Sequence, residues 1–382
     1  MKILQISSAQ FFGGGERHLV DLTDSLVARG HEVYVAVRPR SPIPERLKLV
    51  PPGNVLTLPL RNALDVPSAN NLARFVSKVG VEIIHAHMAR DYSLAAFAAR
   101  NKAAKLILTR HVLFPLNPLH SRVFSRAARV IAVSQAVARQ LVQQKLVLPS
   151  LVSVVPNGVD FGRLHQAQAN PARNSLVQSL GFPDNCLLVG SVGELSPVKG
   201  HDTFLRAAAL VSKAYPPARF LIAGGDSSPR QVTLTSLKSL ITELDLNDCA
   251  RLLGELEDVS TLLAALDVFV SSSQTESFGL AMVEALACGL PVVATDTEGA
   301  REIISNGETG LLEPVGQSEA IAASIMRLLG DEELRLAMGQ RAFADASRRF
   351  QLERMVSDIE GIYKEHQDEV NPTRSTKQLN LV

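Results

Sequence analysis

Glu276 and Glu284 bracket the run Ser277-Phe278-Gly279-Leu280-Ala281-Met282-Val283, so seven residues separate two carboxylates around a glycine-containing turn. The apolar pattern after Gly279 predicts an amphipathic helix that opens just past the turn. A free helix start presents unpaired backbone N–H groups and the positive end of a dipole, which suit a phosphate. The flanking carboxylates repel such a group, but they accept hydrogen bonds from hydroxyls on either side of it. A diphosphate with hydroxyls on both sides is a nucleotide sugar, and this stretch points to that ligand.

Other residues could join it. Gly13-Gly14-Gly15-Glu16-Arg17-His18 follows an apolar run and opens a helix, so its glycines allow close backbone approach to a ligand. Read as Gly-x-Gly-x-x-Gly, it fails at His18. Gly193-Glu194-Leu195-Ser196-Pro197-Val198-Lys199-Gly200 holds the corresponding place in the second half, and Lys199 offers a point charge to a phosphate. The P-loop order of Gly, Lys and Ser or Thr is missing there. His111 ends the run Leu106-Ile107-Leu108-Thr109-Arg110, at a strand edge where ligands collect. It reads either as a partner for a sugar hydroxyl or as a satisfied polar residue. His85 and His87 alternate onto one face of a strand. No third ligand is evident near them and no Asp-x-Asp occurs, so no metal is expected. Arg122, Arg126 and Arg129 share one face if Pro118–Arg129 is helical, giving either a solvated face or one that lies on anionic lipid. Ser271-Ser272-Ser273 has no evident base partner and reads as a turn.

These residues need a scaffold. Apolar runs predict strands near 2–7, 32–37, 54–59, 82–86, 105–109, 129–133 and 152–155, then near 186–192, 219–223, 251–253, 267–271, 291–294 and 310–313. The runs are continuous rather than alternating, which indicates parallel strands buried on both faces. Alternation with helical stretches gives right-handed βαβ units and two doubly wound α/β domains. The polar segment Gln166-Ala167-Gln168-Ala169-Asn170-Pro171 puts the boundary within 160–183, separating residues 1–165 from 166–346. Residues 366–382 are polar and are expected to be disordered.

The net charge of +1 conceals a split: residues 1–168 carry 21 Lys+Arg against 9 Asp+Glu, and the remainder 18 against 29. The basic first half implies an anionic partner, either a membrane surface or a phosphorylated acceptor. With 5% aromatics and no recognition motif, nucleic acid is not expected. Cys186, Cys249 and Cys288 are sparse and odd in number, which fits a reducing cytoplasm. Residues 1–7 read as a strand rather than a leader, and no run approaches the roughly 20 apolar residues of a membrane span. A cytoplasmic protein, soluble or peripheral on the inner membrane face, is the expectation.

Together these residues resemble family 4 of the retaining glycosyltransferases, whose architecture is GT-B. The resemblance spans residues 1–365. It is carried by the Glu276–Glu284 run and the following Ala285-Leu286-Ala287-Cys288-Gly289-Leu290-Pro291-Val292-Val293-Ala294. It rests also on the glycine loop at 13–15, Val133-Ser134, Val155-Pro156-Asn157-Gly158-Val159-Asp160, Gly193 through Gly200, and Gly307-Glu308-Thr309-Gly310-Leu311-Leu312. It implies two Rossmann-like domains whose parallel sheets face across a cleft. The donor sits on the second and the acceptor on the first, and a C-terminal helix at about 347–365 crosses back. Glu284 then looks like the ribose ligand, and Glu276 the residue beside the donor sugar. Phe278, Gly279 and Leu280 would offer N–H groups to the phosphates, with Gly193, Glu194 and Lys199 forming the diphosphate loop. His111 looks like the active-site histidine, and Gly14 and Gly15 its glycine loop. The resemblance implies no metal and no cofactor besides the co-substrate.

One position departs from that pattern. The family often has Arg where Glu194 stands, and that arginine helps to neutralise the leaving diphosphate. Lys199 alone, or Arg110 or Arg17, would have to compensate. The expected activity is retaining transfer of a hexose-type sugar, from a UDP rather than a GDP donor, to a hydroxyl of a glycan or lipid-linked acceptor. Cell-envelope polysaccharide or lipopolysaccharide synthesis is the context this implies. Two alternatives stay open: a nucleotide-sugar 2-epimerase with the same two-domain fold, and a non-catalytic nucleotide-sugar-binding partner, which Glu194 favours.

Overall fold

The computed structural model describes residues 1–100, 104–168 and 172–368. The chain divides into two units, one of Met1–Gly158 together with the chain from Leu352 onward, the other of Val159–Gln351.

Unit 1 contains β1 (Lys2–Ser7), β2 (Glu32–Val37), β3 (Val55–Thr57), β4 (Ile83–Ala86), β5 (Lys105–Arg110), β6 (Arg129–Ala132) and β7 (Val152–Val154). They form one parallel sheet in the order β3-β2-β1-β4-β5-β6-β7. Unit 2 contains β8 (Leu187–Val192), β9 (Ala218–Ala223), β10 (Ala250–Gly254), β11 (Val268–Ser271), β12 (Val292–Thr295) and β13 (Gly310–Glu313). These are also parallel, in the order β10-β9-β8-β11-β12-β13. Every strand expected from the apolar runs is present, none displaced by more than two residues at either end.

In both sheets the winding direction reverses once, between β1 and β4 in unit 1 and between β8 and β11 in unit 2. The loops leaving neighbouring strands part at such a point, and ligands bind beyond the carboxyl ends of those strands.

Helices cover the sheets by burying one stripe each. Along the helix Leu352–Asp368, Met355, Val356, Ile359, Ile362 and Tyr363 recur at helical spacing. They pack with Ile3, Leu22, Leu26, Ile83, Ile107 and Ile131 in the core of unit 1. Burying such side chains stabilises by about 1.5–3 kcal/mol each, which explains why this late segment belongs to unit 1. In unit 2 the core gathers Phe204, Phe220, Val268, Val270, Ile321, Ile325 and Met338.

Several boundaries differ from expectation. The division falls at Gly158, not 165, because the polar stretch begins as the helix Phe161–Gln168, which packs within unit 2 against the helices Ser260–Ala265 and Leu280–Ala287. The return to unit 1 starts at Leu352 rather than 347, since Glu332–Arg349 and Leu352–Asp368 are separate helices. Within the expected disordered tail, residues 366–368 complete the last helix, and 369–382 lie outside the described residues.

The basic helix expected over 118–129 does not form. A short helix, Ser121–Phe124, ends where Phe124 becomes fully buried against Tyr92. Arg129 instead opens β6 opposite Ile107 and donates to Ser150 O at 2.9 Å. Arg122, Arg126 and Arg129 therefore present no common helical face. Among the described residues, no helix is long and apolar enough to cross a membrane.

Candidate active site

At the switch point of unit 2, the loops after β8 and β11 are tied together. Ser272 Oγ donates to Gly200 O at 2.8 Å and to Lys199 O at 3.2 Å, and Gln274 N–H donates to Val198 O at 2.7 Å. Gly200 has φ +61°, and a Cβ there would stand 2.1 Å from Ser272 O, so this close approach requires glycine. The contact sets Lys199 beside the second loop. Lys199 Nζ donates to Glu276 Oε2 at 2.7 Å, and Ser273 Oγ reaches the same oxygen at 3.2 Å.

The helix Leu280–Ala287 starts directly after this pair. Gly279 caps it with φ +109°, and the first bonds of the helix are those of Met282 N–H and Val283 N–H to Gly279 O. The N–H groups of Leu280 and Ala281 precede these bonds and have no acceptor within the helix. Lys199, Ser272, Ser273, Glu276, Gly279 and Leu280 line a common pocket. A cation, an open helix start and a carboxylate thus converge at one edge of the sheet. That arrangement neutralises an anion and leaves acceptors for adjacent hydroxyls.

Glu284 lies one turn further along the helix and is only 6% exposed. Arg163 Nη2 donates to its Oε1 at 3.0 Å, while Arg163 Nη1 holds Asp258 Oδ1 at 2.9 Å. Burial, with Glu284 beside it, pushes the Cys288 thiol up to about 12. Phe278 is buried, its ring against Phe350. Glu194 is exposed and accepts from the Ser227 hydroxyl. Its carbonyl and that of Gly193 both lie within 3.3 Å of His201 Nε2. Burial lowers the His201 pKa to about 4, so the ring is neutral and braces the loop through a shared N–H.

The switch point of unit 1 holds histidines. Gln5 on β1 stands opposite His85 on β4, and both side chains face the same buried layer as Tyr363. His85 Nδ1 bonds the Tyr363 hydroxyl at 2.5 Å and its Nε2 bonds Thr109 Oγ1 at 2.6 Å. His87 donates from Nε2 to Gln5 Oε1 at 2.8 Å, which leaves Nδ1 facing His111 Nε2 at 3.4 Å. His18, on the helix Gly14–Ala28, completes the group, with ring centroids 4.9 Å from His111 and 5.6 Å from His87. Gly15 lies over the His111 ring, where a Cβ would fall 3.6 Å from it. Burial holds all four histidines well below their usual pKa, His18 at about 4, so each is neutral near pH 7.

Residues 12–163 match the family described as Glycosyltransferase Family 4, and residues 172–345 match Glycosyl transferases group 1. This chain belongs to the family 4 glycosyltransferases. Among its relatives is the N-acetyl-alpha-D-glucosaminyl L-malate synthase of Bacillus anthracis, 26% identical over 90% of this chain and 91% of that one. The D-inositol 3-phosphate glycosyltransferase of Thermomonospora curvata is 28% identical over 94% and 92%. In structure, Anabaena Alr3699/HepE in complex with UDP and glucose superposes with a TM-score of 0.83 at 27% identity, covering 95% of this chain and 99% of that one. The two parallel-sheet units therefore make up the GT-B fold.

For this family 4 glycosyltransferase, the expected Lys199, Glu276, Gly279 and Leu280 come together at one pocket of unit 2. Gly193 and Glu194 sit in the adjoining loop, Phe278 behind it, and Glu284 on the Arg163 side of the helix. His111, Gly14 and Gly15 meet in unit 1. Arg110 is not available to compensate for Glu194: it is 5% exposed, donates to Phe114 O and lies against the buried Tyr92. Four further residues contribute. Arg163 and His201 stood in segments read as linker and helix start. Ser272 was read as a plain turn residue. His18 breaks a glycine fingerprint in the sequence, and its place in the first turns after the glycine loop is the signal for its role. The expectation that His85 and His87 lack a third ligand also falls. His85 is used up by Tyr363 and Thr109, whereas His87 groups with His18 and His111 within 4.8 Å.

Proposed function

We propose that unit 2 binds a nucleoside diphosphate sugar and that the enzyme transfers the sugar, with retention of anomeric configuration, to a hydroxyl presented by unit 1. The observation that carries this is the Lys199–Glu276 pair set against the open start of the helix Leu280–Ala287. The helix start and Lys199 stabilise the charge that develops on the departing diphosphate. Glu276, fixed by Ser273 and Lys199, orients the donor sugar through its hydroxyls, and Glu284 serves the ribose. A neutral His111 accepts a hydrogen bond from an acceptor hydroxyl. Glu276 is held by a cation and a hydroxyl on one oxygen, a setting for positioning rather than for nucleophilic attack.

A UDP donor is supported by the likeness to HepE, whose structure holds UDP and glucose. For the acceptor, the basic first half supports an anionic molecule. A glycan or lipid-linked acceptor carrying phosphate at a membrane surface, as in envelope polysaccharide assembly, is the primary reading. The names of the malate synthase and the inositol 3-phosphate transferase favour a second, a small anionic alcohol. The three free cysteines fit a reducing compartment.

Thermal-shift titration with UDP, GDP and ADP tests the donor reading. A ligand at 100 times its dissociation constant adds about 2.7 kcal/mol of stability, and UDP should give the largest shift. If none of the three shifts the transition, the donor site falls. Product analysis by NMR with a UDP-hexose and candidate acceptors should show the donor's anomeric configuration retained. Formation of an epimerised donor without acceptor would instead establish the isomerase alternative.

A further inference from the structure

We propose that His18, His87 and His111 form a binding site for a late first-row divalent metal, zinc above all. The three residues come from separate elements: the first helix, the end of β4 and the end of β5. One ring nitrogen of each lies within 4.8 Å of the other two. Tetrahedral zinc with Zn–N bonds of about 2.0–2.1 Å sets its ligand nitrogens about 3.3–3.4 Å apart. His87 Nδ1 and His111 Nε2 already stand 3.4 Å apart. His18 is the ring that must move inward to close the triangle.

Two further observations point to a missing ligand. His18 is fully buried, yet neither of its ring nitrogens makes a well-formed hydrogen bond, although Asn157 stands close enough to raise its basicity slightly. A buried polar group left unpaired is costly, so a partner in this space is favoured. The outer shell is also in place. Metal-bound histidines donate their other N–H to a carbonyl or carboxylate, which fixes the tautomer. His87 does this through Nε2 to Gln5 Oε1, and Gln5 Nε2 in turn reaches the Tyr363 hydroxyl at 3.5 Å. Nδ1 of His87 is thereby held as a lone pair directed at the site.

Three neutral imidazoles suit zinc, copper or nickel and give calcium or magnesium nothing to bind. With three protein ligands, a fourth position remains for water. Metal entry requires His111 to carry its proton on Nδ1, so the bond from His111 to His87 is replaced by two bonds to the metal. Occupancy would withdraw His111 from an acceptor and so inhibit transfer. That consequence, unlike the metal affinity, rests on the proposed role of His111.

The test uses the full chain, stripped with EDTA and dialysed. Calorimetric titration with zinc should show one ion bound per chain, and cobalt should give the intense visible bands of low-coordinate Co²⁺. His18→Gln and His87→Gln should each weaken zinc binding by about a hundredfold or more, since even outer-shell changes cost 10–100-fold. Absence of stoichiometric zinc binding to the unaltered chain would overturn the site. So would cobalt bands that survive in a folded His18→Gln protein. If that variant fails to fold, the cobalt spectrum of the unaltered chain with and without competing zinc decides. Zinc that binds but leaves transfer unslowed would sustain the site and remove His111 from the proposed transfer.

Discussion

In the proposed reaction Lys199 serves both Glu276 and the donor diphosphate, and its ion pair with Glu276 decides how. In the free protein Nζ is 2.7 Å from the carboxylate, so a diphosphate must compete with Glu276 for the same cation. Glu194 adds no positive charge nearby, and Arg110 is locked inside unit 1. Lys199 is therefore the principal side-chain cation lining this pocket. Lys199→Ala should weaken UDP binding by about tenfold to a hundredfold, the value of one charge-assisted hydrogen bond of ~1.5–3 kcal/mol. Glu276→Ala should behave oppositely in binding: with its competitor gone, Lys199 meets the diphosphate unopposed, and UDP affinity holds or rises while kcat falls. Calorimetry with UDP and initial rates with the sugar donor separate the two effects. A Glu276→Ala protein that loses UDP affinity but keeps its turnover would refute the assignment. The types and spacing of Glu276, Gly279 and Lys199 were readable from the sequence. The pairing of Lys199 with Glu276 was not, because it depends on two loops 72 residues apart in the chain, joined by Ser272 and Gly200.

At the scale of elements, the strands were legible because both faces of each parallel strand are buried, which leaves an uninterrupted apolar run. Segments with mixed character misled. Arg129 matched a helical face in spacing, but sheet pairing with Ile107 claimed its backbone, and burial of Phe124 ended the helix early. Phe161–Gln168 looked like linker because its outer face is polar, while Leu164 on the inner face is fully buried. The turn into Leu280–Ala287 is where element geometry and chemistry meet. Gly279 holds φ +109°, and a Cβ there would stand 2.1 Å from Met282 Cε and 3.3 Å from Glu276 Cγ. Gly279→Ala should therefore strain the cap by about 1–3 kcal/mol and lower the melting temperature of unit 2 by about 2–10 °C. It should also weaken UDP binding, because the N–H groups of Leu280 and Ala281 are re-aimed. Differential scanning calorimetry with a UDP titration reads both, and an alanine variant with unaltered melting and affinity would show that the turn has no such constraint.

At the scale of the whole molecule, the two units respond differently to acid. Unit 1 holds His18, His85, His87 and His111, all neutral and buried, whereas His201 is the comparable histidine among the described residues of unit 2. A histidine whose folded pKa lies below its unfolded value of 6.5 binds its proton more readily when unfolded. Its stabilising effect is complete above pH 6.5 and is lost as pH falls toward the folded value. For His18 that window runs from 6.5 to about 4, and at 1.36 kcal/mol per pKa unit the loss approaches roughly 3 kcal/mol. Asp91 acts in the other direction: burial raises it to about 6, so the folded state gains stability as pH falls through that value. Its effect offsets a loss the size of His18's and leaves His31, His85, His87 and His111 to decide the sign. Unit 1 should therefore unfold first on acidification between about pH 6.5 and 4, with metal removed so that imidazole protonation alone is read. The chain has four tyrosines and no tryptophan, and Tyr34, Tyr92 and Tyr363 belong to unit 1 while Tyr215 belongs to unit 2. Tyrosine fluorescence thus follows unit 1, and far-ultraviolet circular dichroism follows both. The fluorescence transition should come at higher pH than the bulk of the dichroism change. His85→Gln, with Gln still able to bond Tyr363 or Thr109, should move the fluorescence transition to lower pH. Coincident transitions, or one unmoved by that substitution, would mean that the histidine layer does not control acid stability.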